Sequence, residues 1–574
     1  MKSIKKLFAM LLCMTLIITS FSGCKKSDGT SEDTANGNDG TTTEVSPTAT
    51  EKELVEIDYS EPVEFSYWLY ASPNDYYSNY SENPVVWYLN KKFNMTLKVE
   101  QPAAGTESDA LSLMFGTGEY TDMIDASYYT GSISQLYDDG IIVNIADYLD
   151  YMPNFKKLLD SDEVFRKHAY NDEGQILQLR YISDVDGIMW GGFVYRRDIL
   201  DTMTGGNIQF PSGKDEPTTI EDWDYMLPLM KQYFEASGMT DYGVLILPAA
   251  GYFSASNLVN SFGVGASYYV KDGTVKYGPI EDGFYNYLKK MNEWYKAGYI
   301  YKDFASRTND LFYLPNTSLT YGGGAGIWFG LDSQLGDVLS LPDYGLNVDV
   351  QGIPDPIDTA TGVTAAPNYM FNSKSEQGGG TFVSTSCKNI ERLLATMDFM
   401  YSEEGSYLKG YGLTKEQGSA ENEFYKKNGL EDGAYTIAED GTFTYNNKLD
   451  VVGGPVKDAG SFRALRFPGL SSEVHNLAVK TDVQLAASDK WTMYQDSNMA
   501  LPLSLSRTTE EDDTYTSNQT NIDDYINSMV LKFILGSEEL NDQSWAAFKA
   551  QIESFGIQDN LAIQQAAYDR YLTR

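Results

Sequence analysis

The chain has 574 residues, more than a single hydrophobic core serves, so at least two lobes are expected, and a 42% hydrophobic content is ample to fill them. Its 43 Lys and Arg against 81 Asp and Glu give a net charge of −38, a field that repels phosphate backbones and argues against nucleic acid as a partner. Only two histidines occur, His168 and His475, far apart and without a neighbouring Cys or His at ligand spacing, which argues against histidine catalysis and structural zinc alike.

The chain opens with Lys2, Lys5 and Lys6, a continuous apolar run from Leu7 to Thr19, and then Phe21-Ser22-Gly23-Cys24. The run is too short to cross ~30 Å of hydrocarbon as a mature helix and reads as a signal peptide, residues 1–23, cleaved before Cys24. The segment resembles the lipobox of bacterial lipoproteins, with Phe21 where Leu is usual. That resemblance implies lipidation of Cys24 and anchoring to the outer face of the cytoplasmic membrane; two or more acyl chains, at ~0.8 kcal/mol per CH₂, make such an anchor stable. Cys13 leaves with the signal, so Cys387 has no disulfide partner and is expected to be a small buried residue. Residues 24–58 are almost wholly Ser, Thr, Gly, Asp and Glu, too polar to bury a core, and are expected to form a disordered tether.

Folding begins at Pro62. Val63, Phe65, Tyr67 and Leu69 alternate with Glu64, Ser66, Trp68 and Tyr70, the period of a strand. Asn83-Pro84 opens a helix, Met95, Leu97 and Val99 alternate again, and a second helix–strand pair runs from Ser108 through Gly118 to Met123-Ile124. Alternating strands and helices predict a parallel sheet whose ligands sit beyond the carboxyl ends of its strands, where Tyr128 and Tyr129 fall. Apolar stripes at helical spacing run through Phe284–Tyr295, Ile390–Tyr401, Tyr525–Ile534 and Trp545–Phe555, three of them followed by a glycine stop. Val244–Leu247 and Thr381–Ser384 are short β-prone runs suited to central strands.

Several runs together resemble the extracellular solute-binding proteins of family 1, the substrate-binding lipoproteins of ABC importers, mostly for oligosaccharides. They include Gly118-Glu119-Tyr120-Thr121-Asp122-Met123-Ile124, Tyr137-Asp138-Asp139-Gly140 through Leu149, Tyr195-Arg196-Arg197-Asp198, Pro217-Thr218-Thr219-Ile220-Glu221-Asp222-Trp223 and Lys271-Asp272-Gly273-Thr274. They span nearly all of the mature body and fit the long, oligosaccharide-binding subfamily. The resemblance implies a two-lobed α/β fold of the type II periplasmic-binding-protein kind, with lobe 1 from 59–180 and 381–430 and lobe 2 from 181–380 and 431–574. It also implies hinges near Leu179–Asp184, near Gly380–Ser384 and within Gly429–Ser461, and a monomer that delivers ligand to ABC permease subunits. Some members hold Ca²⁺ after the helix that begins Thr219-Ile220-Glu221; here the loop from Glu235 to Asp241 offers only two carboxylates, so no metal is expected, and no cofactor.

Sugars present hydroxyl edges and apolar C–H faces, so their sites combine flat rings with side chains that donate and accept hydrogen bonds. Position singles out Trp68 and Tyr70 on the outward phase of the first strand, Tyr128 and Tyr129, Trp190 past the first crossing, and Trp328 behind the glycine-rich run Tyr321–Ile327. Asp184 and Asp186 are candidate hydroxyl acceptors and Arg463 a candidate donor. The glycine-rich run lacks the Gly-Lys-Ser/Thr or strand-to-helix pattern of a phosphate loop. An extracellular glycosidase would need a carboxylate pair ~5–9.5 Å apart, and no motif specifies one. A surface adhesin would be expected to show repeats, and none is evident. The sequence therefore favours a binding protein over an enzyme or an adhesin.

Overall fold

The computed structural model describes residues 55–71, 74–183, 189, 191–247, 258–306, 319, 323–331, 335, 349–367, 379–446, 459–472 and 480–574. The chain divides into Met1–Glu53 and the body Leu54–Arg574. Signal peptide, Cys24 and nearly all of the tether thus lie outside the described residues.

The strands in chain order are β1 (Val63–Trp68), β2 (Met95–Glu100), β3 (Met123–Asp125), β4 (Leu179–Ser183), β5 (Gly191–Arg196), β6 (Gly243–Ile246), β7 (Tyr268–Lys271), β8 (Thr274–Tyr277), β9 (Ala325–Leu331), β10 (Val350–Gly352), β11 (Ala366–Pro367), β12 (Gly380–Val383), β13 (Tyr435–Ile437), β14 (Phe443–Tyr445), β15 (Gly469–Ser471) and β16 (Gln495–Asp496). Six of them form one sheet in the order β15-β4-β12-β3-β1-β2, and four form a second in the order β10-β5-β9-β6. In the first sheet β1, β2 and β3 run parallel, β12 runs against β3 and β4, and β15 is parallel to β4. The carboxyl ends of β1, β3, β4 and β15 therefore share one edge.

Side-chain alternation explains the layering. Phe65 and Tyr67 of β1, Met123 of β3 and Val383 of β12 enter one core, while Trp68, Ile124 and Phe382 enter another on the opposite face. The sheet is covered on both sides, so the outward phase expected to leave Trp68 near solvent is itself buried. The second sheet behaves likewise: Phe193, Leu245 and Ile327 face a core completed by the helices Ile220–Ala236, Asp282–Lys296 and Thr509–Leu535. Val194, Ile246 and Trp328 pack on its other face with Trp491. The helix starts and stops follow local chemistry, with Thr219, Thr508 and Asn541 closing capping boxes and Gly536 taking the left-handed conformation at a C-cap. Cys387 is buried, and burial pushes its thiol up to about 12, as suits a packing residue.

The body is the expected two-lobed α/β fold, with the domain boundary displaced. Ala434, Tyr435, Phe462, Ala464 and Phe467 all belong to the first core, although residues from 431 onward were expected in the second lobe. Aromatic packing holds them there: Tyr411 lies against Tyr435, Phe443 and Tyr445 of the β13–β14 hairpin, at ring separations of 5.7, 4.9 and 6.3 Å. The chain passes between cores from β4 to β5, from β11 to β12, and from β15 to the helix Asp482–Thr492, whose Trp491 packs on the second sheet. The third passage comes after Ser472, later than the stretch Gly429–Ser461. Residues 184–188, 190, 368–378 and 473–479, within these passages, lie outside the described residues.

Candidate functional site

The shared carboxyl edge of the first sheet is where chemistry collects. Tyr70, just beyond β1, and Tyr128, just beyond β3, are half-buried and meet edge to face at 5.9 Å. Tyr128 also leans on Trp68 at 6.5 Å. Asp125, the last residue of β3 and only 1% exposed, accepts at Oδ1 from the Ser127 amide at 3.0 Å and from its hydroxyl at 2.6 Å. Burial pushes the Asp125 carboxyl up, and the Ser127 hydrogen bonds and the Arg466 charge pull it part of the way back. The local sequence dictates this turn, since an Asp two residues ahead of a Ser closes an Asx turn over the strand end.

β4 adds a third ring. Tyr181 donates from its hydroxyl to the Arg466 carbonyl at 2.8 Å, and the Lys409 ammonium lies 5.2 Å from the ring centre. A Cβ at Gly379 would stand 2.9 Å from the Tyr181 ring and 3.8 Å from the Ser127 hydroxyl, so glycine there lets the backbone reach the edge. Arg466 is exposed, and its charge bears on Asp125, Tyr128 and Tyr181 together. This edge therefore offers three rings, a hydroxyl, a buried carboxylate and an exposed guanidinium, the mixture that reads hydroxyl edges and C–H faces.

On the second sheet, Asp355 lies just beyond β10, where its Oδ2 accepts from Asn260 Nδ2 at 2.9 Å. Burial drives its carboxyl up to about 6. Residues 248–257 and 332–334, which follow β6 and β9, lie outside the described residues. Where the lobes meet beside β4, a pocket of about 170 Å³ takes its walls from both, with Tyr170, Gln178 and Arg180 from one side and Ser504 and Arg507 from the other.

The residues singled out by sequence divide into four groups. Tyr70, Tyr128 and Tyr129 come together at the edge, although Tyr129 turns inward, its ring 5.2 Å from Phe115 and 5.6 Å from Phe382, and donates to the Ser132 carbonyl. Trp68 and Trp328 are 4% and 2% exposed and serve packing. The glycines before Trp328 answer to strand packing as well, because a Cβ at Gly326 would meet the Val244 carbonyl at 2.7 Å. Arg463 is committed to the first lobe, its Nη2 donating to the Tyr445 hydroxyl at 2.7 Å and its carbonyl accepting from Tyr80 and Asn83. Asp184, Asp186 and Trp190 lie outside the described residues. Ser127 falls at the same strand end that marked Tyr128 and Tyr129 in the sequence, whereas Asp125, Tyr181 and Arg466 went unnoticed there; the Asp-x-Ser spacing is the signal that points to Asp125.

Two separate cores joined by three passages, with an aromatic edge where the strands of one end, define a two-lobed α/β fold. Neither a family model nor a curated relative matches the sequence. Solved structures match it in fold. An HMO-binding ABC-transporter-associated solute-binding protein from Bifidobacterium longum infantis is 18% identical at a TM-score of 0.68, over 89% of this chain and 99% of that one. The Streptococcus pneumoniae ABC-transporter substrate-binding protein FusA, an EF-hand mutant in complex with fructo-nystose, is 17% identical at 0.67, over 89% and 100%. The alginate-binding protein AlgQ2 is 17% identical at 0.66, over 89% and 98%. The chain shares the fold of ABC-transporter solute-binding proteins.

Two carboxylates, Glu235 and Asp241, flank the loop after the helix Ile220–Ala236. Glu235 is paired with Lys231 one turn earlier, and Asp241 lies 3.5 Å from Lys302, so each carboxylate already faces an ammonium. No cluster of three or more His, Cys, Asp or Glu able to hold a metal occurs among the described residues.

Proposed function

We propose that the chain is the substrate-binding lipoprotein of an ABC importer, anchored through Cys24 outside the cytoplasmic membrane, which captures an oligosaccharide between its lobes and passes it to a permease. The observation that carries this reading is the edge of Tyr70, Tyr128, Asp125, Tyr181 and Arg466, set beside the passages between two separately cored lobes. A ligand touching both lobes favours the closed state by its differential affinity alone, so shape distinguishes loaded from empty protein. Two or three rings at ~0.5–1.5 kcal/mol each fall short of the ~8 kcal/mol of micromolar binding, so hydroxyl contacts and closure supply the remainder. Asp184, Asp186 and Trp190 belong to the first passage and are proposed to join the site as the lobes close. No helix among the described residues is long and apolar enough to cross a membrane.

The test is a thermal-shift screen of the purified chain against a panel of oligosaccharides, with chromatography of each sugar afterwards. A raised melting temperature with the sugar recovered intact supports capture. A cleaved sugar would establish a glycosidase, and a shift only with immobilised polysaccharide would establish an adhesin.

A further inference from the structure

The second sheet has an edge of its own that answers the aromatic one. β9 and β10 both run antiparallel to β5, and β6 is parallel to β9, so β6, β9 and β10 end together where β5 begins. Ser183, the last residue of β4, and Gly191, the first of β5, are joined by residues 184–190, a span of at most about 29 Å, so the two edges stand at either end of one short passage. Ligands of open α/β sheets sit beyond such strand ends.

The chain leaves β10 as Ile353-Pro354-Asp355-Pro356-Ile357 and is pinned on both sides of Asp355. The Ile353 amide donates to the Phe193 carbonyl at 2.9 Å, the Ile357 amide to the Thr218 carbonyl at 3.1 Å and the Asp358 amide to the Ser261 carbonyl at 2.9 Å. A residue between two prolines has few backbone conformations to lose, so the half-buried Asp355 is preorganised at little entropic cost. Its carboxylate receives little compensation for its burial. The Asn260 side chain is its one hydrogen-bond donor among the described residues, no cation pairs with it, and its carboxyl is lifted to about 6.

Two further departures lie in the segment that supplies Asn260. Leu258, wholly buried, holds a φ of 67°, the left-handed region that a bulky side chain disfavours. The Ser261 hydroxyl is buried and makes no hydrogen bond. Backbone strain, an unpaired hydroxyl and an undercompensated carboxylate in neighbouring residues all oppose folding, and such departures from local consistency gather where a ligand is held.

We propose that Asp355, braced by Asn260, is the second lobe's contact with the captured saccharide: its carboxylate accepts from sugar hydroxyls when the lobes close on the tyrosines of the first edge. The proposal rests on the saccharide-binding reading above and adds which residue of the second lobe the ligand engages and what chemical group it offers there.

The test pairs isothermal titration of the purified chain at pH 8, against malto-, cello-, manno- and galacto-oligosaccharides of two to six units, with urea denaturation of the same preparations. For any sugar that binds, Asp355→Asn should weaken binding about tenfold, because an acceptor that is charged holds a hydroxyl more strongly than a neutral one. The same substitution should raise the urea midpoint, since it removes a poorly compensated charge. Asp355→Ala should weaken binding further. A structural role would move affinity and stability down together, so a lower midpoint alongside weaker binding in Asp355→Asn would overturn the contact. Unchanged affinity in Asp355→Asn would overturn it too, in both cases leaving saccharide capture standing. Absence of binding by every sugar to the unaltered chain would overturn the reading on which it rests.

Discussion

Tyr128 is the residue on which the edge turns, because it touches both Trp68 and Tyr70 while keeping part of its ring in solvent. Its replacement by Ala should cost about tenfold in saccharide affinity, read by calorimetry, with little change in melting temperature, since a half-buried ring contributes more to a ligand than to the core. Trp68→Ala should behave in the opposite sense and destabilise the lobe by ~3–5 kcal/mol in urea, because its site is fully enclosed. Asp355 makes a prediction in pH. Its carboxyl rises from the ordinary 3.8 to about 6 on folding, so the native state holds that proton more tightly than the unfolded chain. The stability this confers is complete below pH 3.8 and is lost as pH rises through about 6, which makes the charged form cost up to about 3 kcal/mol at pH 8. Asp355→Asn should therefore raise stability at pH 8 and add nothing at pH 4, as measured by urea denaturation at the two values.

Among the elements, the strands and long helices could be read from period alone, whereas their exposure could not. The stripe Phe284–Tyr295 became the helix Asp282–Lys296, and the run Tyr525–Ile534 became the last turns of Thr509–Leu535, because apolar spacing reports a face whatever covers it. The outward phase of β1 was misread for the same reason: alternation shows that two faces differ, and here a second core covers the one that carries Trp68. Arg466 and Tyr181 escaped notice because nothing local marks a residue that only sheet pairing brings to an edge. The glycines of the second sheet show how closely its layers approach. A Cβ at Gly192 would lie 2.4 Å from the indole of Trp491, whose Nε1 donates to the Phe193 carbonyl at 2.8 Å. Gly192→Val should then force Trp491 out of place and cost ~1–3 kcal/mol, visible as a lower urea midpoint and as altered tryptophan fluorescence.

At the scale of the whole molecule, the resemblance noted in the sequence anticipated two lobes and several passages but misplaced the last one. Ala434, Tyr435, Phe462, Ala464 and Phe467 pack in the first core, with Phe443 and Tyr445 against it, so the chain passes the expected hinge before it crosses. Arg570 and Arg574 both pair with Asp172, each at 2.7 Å. The three passages involve neighbouring strands, β15, β4 and β12, at one side of the first sheet, and the proposed function requires the lobes to open and close about that side. Small-angle X-ray scattering of the purified chain, with and without a saccharide that raises its melting temperature, tests this most directly. The account predicts a smaller radius of gyration in the presence of sugar, reversible on dialysis and with the sugar recovered whole. An unchanged radius at saturating sugar would contradict it.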